Sequence, residues 1–341
     1  MVSPSRPATI GDVAARAGVS KAAASQALSG KGRISEATRA RIAAVAAELE
    51  YRPNSTAQNL SSARAGIVGV LLPAHSEHLP FSHQLALGAL VASEPFRSTV
   101  RILTPDLVAP HTPPLRLDGC VIVDPVAADP HVRTVLGWGV PTVCIEPPLD
   151  DALTPDAALT SRHDRAVREL LEHLRARGAR RIALPVPELG TRWTADYLRG
   201  AAEWAAQTGI PVTHIPIAPA AEAAGPELTH EIVAQSSGYD AAIFVSDRAA
   251  IAAAFAAATA GRRVGEDFLL ASYLDSDYLT AAEPRITAMH LDPAGLGRAA
   301  IELLHEVIAA REAGAASVAD RARELVPHVR ARASTAGTTR A

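Results

Sequence analysis

A segment near the beginning of the chain carries clear signals for three short helices. Residues 8–64 read ATIGDVAARAGVSKAAASQALSGKGRISEATRARIAAVAAELEYRPNSTAQNLSSAR. Apolar residues recur there at helical spacing. Thr9 can cap a first helix, with Asp12 three residues on. Gly18 then breaks that helix in a tight turn, of the kind that separates the two helices of a helix-turn-helix motif.

Two more helices are expected in this head. Ser20 suits the cap of a second helix over residues 21–28, with Ala24 and Leu28 facing inward. A third helix is expected from Ser35 to about Glu50. The residues of the second helix that would face outward, where a recognition helix meets the major groove, are Lys21, Ala22, Ser25 and Gln26.

The head is basic, whereas the rest of the chain is acidic. Residues 1–64 hold nine Lys and Arg and four Asp and Glu, a net charge of +5. Since the whole chain of 341 residues has a net charge of −3, the remainder carries −8. A basic head on an acidic body suits a local contact with a DNA backbone. A three-helix bundle without a DNA-binding role is the alternative that this charge disfavours.

From Ile67 onward, short apolar segments alternate with helical ones, which predicts an α/β body. The expected strands cover residues 67–73, 100–103, 119–125, 142–146, 181–186, 212–217, 241–246 and 268–273. Helices are expected between them, for example over 165–178 and 197–209. The length fits two doubly wound parallel-sheet subdomains, like a periplasmic sugar-binding fold. Cys120 and Cys144 lie inside expected strands, so we interpret them as buried thiols.

Ligands of such sheets bind beyond the carboxyl ends of the strands, in the cleft between the lobes. That rule selects residues at or beyond the carboxyl ends of the expected strands. The candidate ligand contacts are His78, Phe81, Asp124, Glu146, Arg192, Trp193, Tyr197, Ser246 and Asp275.

Three segments carry a family resemblance. They are TIGDVAARAGVSKAAASQALSGKGRISEATR from Thr9, the YRPN pattern at residues 51–54 with Ala57 and Leu60, and RARAST at residues 330–335. The chain thereby resembles the LacI/GalR family of bacterial transcription regulators. The resemblance implies a helix-turn-helix head (residues 1–52), a hinge (53–64), an effector-binding and dimerisation body of two interleaved lobes (65–335) and a disordered tail (336–341).

The resemblance also implies the DNA contacts. A hinge from Asn54 to about residue 61 would become helical only on DNA, since so short a segment is not stably helical alone. Ala57 would let two hinge helices of a dimer pack closely, and Leu60 would enter the minor groove as an apolar wedge. Packing of Leu60 against the body is the alternative. The expected DNA contacts are Thr9, Ser20, Lys21, Ala22, Ser25, Gln26, Ser29, Arg33, Asn54, Ala57 and Leu60.

Four positions depart from the family pattern. The family usually has Thr at Ala23 and often Arg at Gln26, and a glutamine there favours adenine over guanine. Many members have Arg at Tyr197, and sugar binders often have Asp at Leu274. We therefore expect an unusual operator and a larger, more aromatic ligand. Phe81, Trp193 and Tyr197 would stack on it, and Glu146 or Arg192 would fix its polarity. A degenerate pocket without a ligand is the alternative.

The sequence thus predicts a cytoplasmic, homodimeric repressor that reads a pseudo-palindromic DNA operator and senses a small molecule. A plain solute-binding protein and an enzyme are the other classes. We expect no cofactor, no metal and no membrane contact. The histidines near residue 78 (His75, His78 and His83, with Glu77) are interpreted as loop residues, and GLGRAA at residues 295–300 as packing glycines rather than a dinucleotide fingerprint.

Overall fold

The structure is a computed structural model that describes residues 8–29, 34–51, 64–73, 80–127, 129–218, 233, 238–314 and 323–337. The chain divides into two units, Met1–Gly66 and Ile67–Ala341. The described part of the first unit contains helices α1 (Ile10–Ala17), α2 (Lys21–Ser29) and α3 (Glu36–Glu48). Val13, Ala24 and Ile42, one from each helix, are fully buried in a common core. The predicted helix-turn-helix is confirmed, and α3 ends two residues before the expected position.

The first lobe of the body is built on a six-stranded sheet. Its strands are β1 (Ile67–Leu71), β2 (Thr99–Leu103), β3 (Gly119–Val123), β4 (Thr142–Ile145), β5 (Ala157–Thr160) and β11 (Arg323–Glu324). They lie in the order β2-β1-β3-β4-β5-β11, and all pairs are parallel. Helices α4 (Pro80–Ser93) and α5 (Pro130–Gly137) pack on this sheet.

The second lobe repeats the same strand order. Its strands are β6 (Ile182–Pro187), β7 (Val212–Ile217), β8 (Ala241–Phe244), β9 (Leu269–Ser272), β10 (Thr287–His290) and β12 (His328–Arg330). They lie in the order β7-β6-β8-β9-β10-β12, and only the β10–β12 pair is antiparallel among the described pairs. The helices that follow in the chain are α6 (His163–Ala176), α7 (Arg192–Thr208), α8 (Asp247–Thr259), α9 (Asp277–Ala281) and α10 (Pro293–Glu312).

The chain crosses between the lobes at three places. Helix α6 follows β5 of the first sheet, yet Leu170 and Leu174 of this helix pack in the core of the second lobe. Helix α10 follows β10 of the second sheet, yet Ile301 and Leu304 pack in the core of the first lobe. The third crossing joins β11 to β12. Because each lobe holds a helix from the other half of the chain, the two lobes are interleaved.

Helices α4 and α10 of the first lobe approach each other at two glycines. A Cβ at Gly88 would lie 2.0 Å from the Ala294 carbonyl oxygen, and a Cβ at Gly297 would lie 2.0 Å from the Leu85 carbonyl oxygen. Only glycine allows backbones to come this close. The Gly295 N–H meanwhile donates to the capping Asp292 carboxylate at 3.0 Å. The glycines of GLGRAA thus serve packing and capping.

Two further features of the body concern its thiols and its helices. Cys120 on β3 and Cys144 on β4 are buried and free, as the sequence predicts, and burial raises the pKa of the Cys120 thiol to about 12. Among the helices that the structure describes, none is both long and apolar enough to cross a membrane. The predicted tail begins at residue 336, and the structure describes the chain as far as residue 337. The Ala336 carbonyl accepts a hydrogen bond from Arg177.

Candidate functional site

The first candidate site is the exposed face of α2, which caps and a turn hold in place. Thr9 and Asp12 form a reciprocal capping box at the start of α1. Gly18 ends α1 in the left-handed conformation, with φ 64° and ψ 38°, which glycine adopts without strain. The Ser20 hydroxyl then accepts a hydrogen bond from the Ala23 N–H at 3.1 Å, as expected of a cap.

The two sides of α2 differ in exposure as the sequence predicts. Ala24 and Ala27 are buried against α1 and α3. Leu28 is only partly buried, so Ala27 is an inward residue that the sequence reading did not name. The residues predicted to face outward are all exposed: Lys21, Ala22, Ser25 and Gln26.

The side chain of Lys21 lies across the first turn of α1. A Cβ at Gly11 would be 3.0 Å from Lys21 Cε, 3.6 Å from Lys21 Nζ and 3.4 Å from Thr9 Oγ1. The ammonium of Lys21 therefore lies at the helix end whose dipole favours anions, close to the Thr9 hydroxyl, which donates to the Asp12 carboxylate at 2.7 Å. A lysine ammonium in this place can bind a phosphate.

Part of the predicted DNA and effector surface cannot be described. Arg33, Asn54, Ala57, Leu60 and His78 lie outside the described residues. Ser29 ends α2, but its side chain is also outside them. Their proposed contacts stay predictions.

The second candidate site lies where the two lobes of the body meet. Glu146 follows β4 of the first lobe and is buried, and its Oε1 accepts hydrogen bonds from the Ser161 N–H at 2.7 Å and from His163 Nε2 at 3.1 Å. His163 Nδ1 lies 2.6 Å from the hydroxyl of Tyr273, which follows β9 of the second lobe. Since a carboxylate only accepts, Nε2 carries the donated proton, and in a neutral ring Nδ1 accepts from Tyr273. A series of buried hydrogen bonds, from Glu146 through His163 to Tyr273, thus joins the lobes.

Aromatic rings pack beside these hydrogen-bonded residues. Trp193 stacks on Tyr273 with ring centroids 6.2 Å apart, and Tyr197 meets Tyr273 edge-on at 4.5 Å. His163 and Trp193 are 6.1 Å apart. The cap at Thr191 explains this grouping, because it starts α7 five residues before the expected start and puts Trp193 and Tyr197 on one helix face. Tyr197 is fully buried, whereas Trp193 keeps 9% of its surface exposed.

Two carboxyl groups of the cleft have shifted pKa values. Burial, followed by the negative charge of Glu146, raises the pKa of Asp124 to about 7, although His163 acts to lower it. Burial by itself would raise the pKa of Glu146, but hydrogen bonds from His163 and Ser161 hold it below its usual value. Burial also raises the pKa values of Tyr197 and Tyr273. Glu146 is therefore ionised at neutral pH, and both tyrosines are neutral.

Two buried polar atoms of this cluster have no hydrogen-bond partner among the described residues, namely Glu146 Oε2 and Tyr197 Oη. A buried polar atom without a partner is costly, so these two atoms indicate a place for a ligand or water.

Other predicted contacts also have structural partners. The Ser246 hydroxyl caps α8 by accepting from the Ala249 N–H at 3.2 Å. The Asp275 carboxylate pairs with Arg330 at 3.1 Å and with Arg332 at 2.9 Å. Ring atoms of Phe81 pack against the cores of both lobes.

Comparison with known proteins agrees with this arrangement of head and body. Residues 9–54 match the family model "Bacterial regulatory proteins, lacI family", and residues 171–335 match "Periplasmic binding protein-like domain". The HTH-type transcriptional regulator GntR of Pseudomonas aeruginosa is 27% identical over 335 residues, which cover 96% of this chain and 95% of that protein. The chain belongs to the LacI family of bacterial regulatory proteins. It has the DNA-binding and effector-binding domains of that family.

Two solved structures resemble this LacI-family chain in fold. The Lac repressor dimer bound to operator and the anti-inducer ONPF has a TM-score of 0.73 at 22% identity, covering 97% of this chain and 99% of that one. The transcriptional regulator CelR–cellobiose complex has a TM-score of 0.67 at 23% identity, covering 96% and 99%.

Within this LacI-family body, the structure brings together only part of the predicted effector set. Asp124, Glu146, Trp193 and Tyr197 lie around His163 and Tyr273, which the strand-end rule does not select. Tyr273 precedes the residue that the strand-end rule selects. His163 starts a helix of the other lobe, and nothing in its local sequence marks it as a link.

Proposed function

We propose that this LacI-family chain is a transcriptional repressor that binds DNA through α2 and a small molecule through the cleft of the body. The exposed face of α2 carries the proposal. One side of α2 is buried through its alanines, and the other side exposes Lys21, Ser25 and Gln26. A recognition helix that binds in the major groove of DNA has this arrangement. The relationship to the regulator GntR supports the same function.

Two kinds of DNA contact are expected from this face. The Lys21 ammonium, which lies beside Thr9 over the start of α1, would hold a backbone phosphate and so fix the position of α2. Gln26 would read an adenine through its side-chain amide. The first contact supports binding to any sequence, whereas the second supports choice among sequences.

Helix α4 has an exposed apolar surface that a second copy of the chain can bind in a repressor dimer. Leu87, Leu90 and Val91 lie on one face of that helix and are 60%, 49% and 59% exposed. A monomer rarely leaves such an apolar stripe open to water. The similar Lac repressor structure is a dimer on its operator. We infer that α4 of one copy contacts a second copy, so that two heads read a pseudo-palindrome.

The cleft would control the dimer through closure of the lobes. Buried unpartnered atoms and the aromatic rings around Glu146 support a ligand site rather than a degenerate pocket. The similar CelR structure holds cellobiose, which makes a small organic molecule the natural class. A ligand that binds one degree of closure more tightly shifts the population of lobe arrangements and thereby DNA affinity.

Neither alternative class has comparable support. A plain solute-binding protein has no use for the basic head. Homologous proteins such as GntR and the Lactose operon repressor are regulators, so we infer that the chain is not an enzyme. We also infer that it acts in the cytoplasm, where bacterial DNA is.

Selection from a random duplex library tests the function. The purified full chain should enrich a pseudo-palindromic sequence. Lys21→Ala should weaken binding to all sequences alike and lower the dependence on salt, because one phosphate contact is lost. Arg16→Ala is the matched control, since it removes the same charge at the other end of α1, where Arg16 pairs with Glu48. Failure to enrich any sequence rejects the proposal.

A further inference from the structure

Two carboxylates stand side by side at the edge of the first sheet that faces the cleft. Val123 of β3 pairs with Ile145 of β4, so the residues that follow them, Asp124 and Glu146, are neighbours on adjacent strands. Both have left-handed backbones, with φ 44° and 61°. Strand spacing keeps such neighbours about 5 Å apart at their Cα atoms. Two like charges at this distance, away from bulk water, repel each other.

The described cations around the cleft are engaged with other groups. Arg162 pairs with Asp164 at 3.2 Å, and Arg192 donates to the Pro148 carbonyl at 3.2 Å. Arg330 and Arg332 both pair with Asp275. The one side chain described as hydrogen-bonded to Glu146 is His163, and it uses Oε1. Among the described residues no arginine forms a salt bridge with Asp124 or Glu146, so a cationic ligand would add to the partial neutralisation that His163 supplies.

One oxygen of the pair is open to a donor. Glu146 Oε2 is buried and has no hydrogen-bond partner among the described residues, although Oε1 accepts two bonds. Independently, the buried Tyr197 hydroxyl, on the opposing lobe, also has none in the described chain. A carboxylate oxygen can only accept, so the missing partner must bring an N–H or O–H group. Burial, followed by the negative charge of Glu146, raises the pKa of Asp124, although His163 acts to lower it.

Packed aromatic rings lie beside the two carboxylates. Trp193 and Tyr273 stack, and Tyr197 meets Tyr273 edge-on. Aromatic faces attract cations and the C–H groups next to them. A metal ion would need about six oxygen ligands rather than two carboxylates and rings. The combination fits an organic ammonium group on an apolar or ring-shaped carbon skeleton.

We propose that the cleft ligand of this protein is a small organic cation, whose ammonium group is held by Asp124 and Glu146 and whose carbon skeleton lies against Trp193. This inference rests on the proposed function of the cleft as the effector site. It narrows the ligand class from a small organic molecule to an amine. The ammonium N–H groups would satisfy Glu146 Oε2, and the single positive charge would offset the repulsion between the two carboxyl groups.

The experiment compares two probes of the same shape by calorimetry on the full chain. Cyclohexylamine is a cation at neutral pH, and cyclohexanol is its neutral counterpart. We expect cyclohexylamine to bind in the millimolar range, as suits so small a molecule, and cyclohexanol at least about tenfold more weakly. Equal affinities, or no binding of cyclohexylamine at any millimolar concentration, overturn the proposal.

Two isosteric variants locate the binding. Glu146→Gln keeps an oxygen to accept from Ser161 and His163, and Asp124→Asn suits a left-handed backbone. Each should weaken cyclohexylamine at least about tenfold and leave cyclohexanol unchanged. Glu94→Gln removes an exposed carboxylate of the same lobe and should change neither. Cyclohexylamine binding that survives both cleft variants overturns the proposal.

Operator binding of the same preparation separates the two proposals. Specific DNA binding without a preference for the amine defeats the cation inference and leaves the repressor function standing. Amine binding without any specific DNA binding defeats the function and leaves the cation site standing.

Discussion

Glu146 and Tyr273 come from different lobes of the body, and opposite nitrogens of the His163 ring bind them both. The ring is buried, as are both partners. A change in lobe closure must therefore either carry this linkage along or break it. His163 is a positioning residue in this scheme, because it holds the carboxylate that faces the ligand.

Loss of the linkage should destabilise the protein. Replacing His163 with leucine removes a partner from Glu146 Oε1 and from the Tyr273 hydroxyl. We expect the free energy of unfolding to fall by about 2–4 kcal/mol, because a buried charge and hydroxyl lose their hydrogen bonds. Urea denaturation measures it. His214→Leu, at an exposed position on β7, is the control and should stay within about 0.5 kcal/mol of wild type. Equal effects of the two changes would refute the role of His163.

Stability should depend on pH through Asp124. Its pKa is raised from 3.8 to about 7 by burial and by Glu146, with His163 acting in the opposite direction. A carboxyl group with a raised pKa stabilises the folded state in its protonated form. Its contribution is therefore full below its unfolded pKa and is lost as the pH rises from about 4 to about 7.

Comparison with Asp124→Asn isolates this contribution. The variant should lack it and should be more stable than wild type by at least about 1 kcal/mol above pH 7. Chemical denaturation at pH 5 and pH 8 measures the difference. A wild type and variant whose stabilities run parallel across this range would contradict the assignment.

The close contact of α4 and α10 should not tolerate a methyl group. Gly297→Ala would force Cβ against the Leu85 carbonyl oxygen, and we expect a loss of about 2 kcal/mol or more. Thermal unfolding reads this out. Gly137→Ala, in helix α5, meets nothing within 4 Å and is expected to be neutral or slightly stabilising. Similar melting temperatures for the two variants would argue against the contact.

Charge on the apolar stripe of α4 should separate the proposed dimer. Val91→Glu puts a carboxylate into the proposed interface, whereas Val326→Glu alters a valine that is 86% exposed elsewhere. Analytical ultracentrifugation should find the first variant monomeric at concentrations where wild type and the second are dimeric. A dimeric Val91→Glu protein would exclude this face as the interface.

The base read by α2 should follow the residue at position 26. Gln26→Arg should shift the preferred base from adenine to guanine at one position of each half-site, since the guanidinium matches the guanine acceptors. Selection from a random library with each protein compares the two. An unchanged preference would show that Gln26 does not read that base.

The head and most strands could be predicted from sequence because local signals determine them. Thr9, Gly18 and Ser20 sit where caps and a turn need them, and the apolar runs of β1 and β3 are unambiguous. Strands β5 (AALT) and β10 (TAMH) are not predicted from the sequence, since each has only four residues and no β-branched apolar residue. Their places come from neighbouring strands rather than from their own pattern.

The cleft could be predicted only in part, because its links cross the chain. The strand-end rule selected Glu146 from its position after β4. His163 and Tyr273 are 110 residues apart, and their hydrogen bond depends on how the lobes interleave. The same holds for Asp275, whose partners Arg330 and Arg332 lie at the far end of the sequence.

The proposed repressor function requires that the protein bind one DNA sequence in preference to others. A fluorescence-anisotropy titration at a fixed, near-physiological salt concentration measures this preference. The full chain is titrated against the selected pseudo-palindrome and against a scrambled duplex of the same length and composition. We predict a preference for the palindrome of about 10³-fold or more. Equal affinities for the two duplexes would contradict the proposed function.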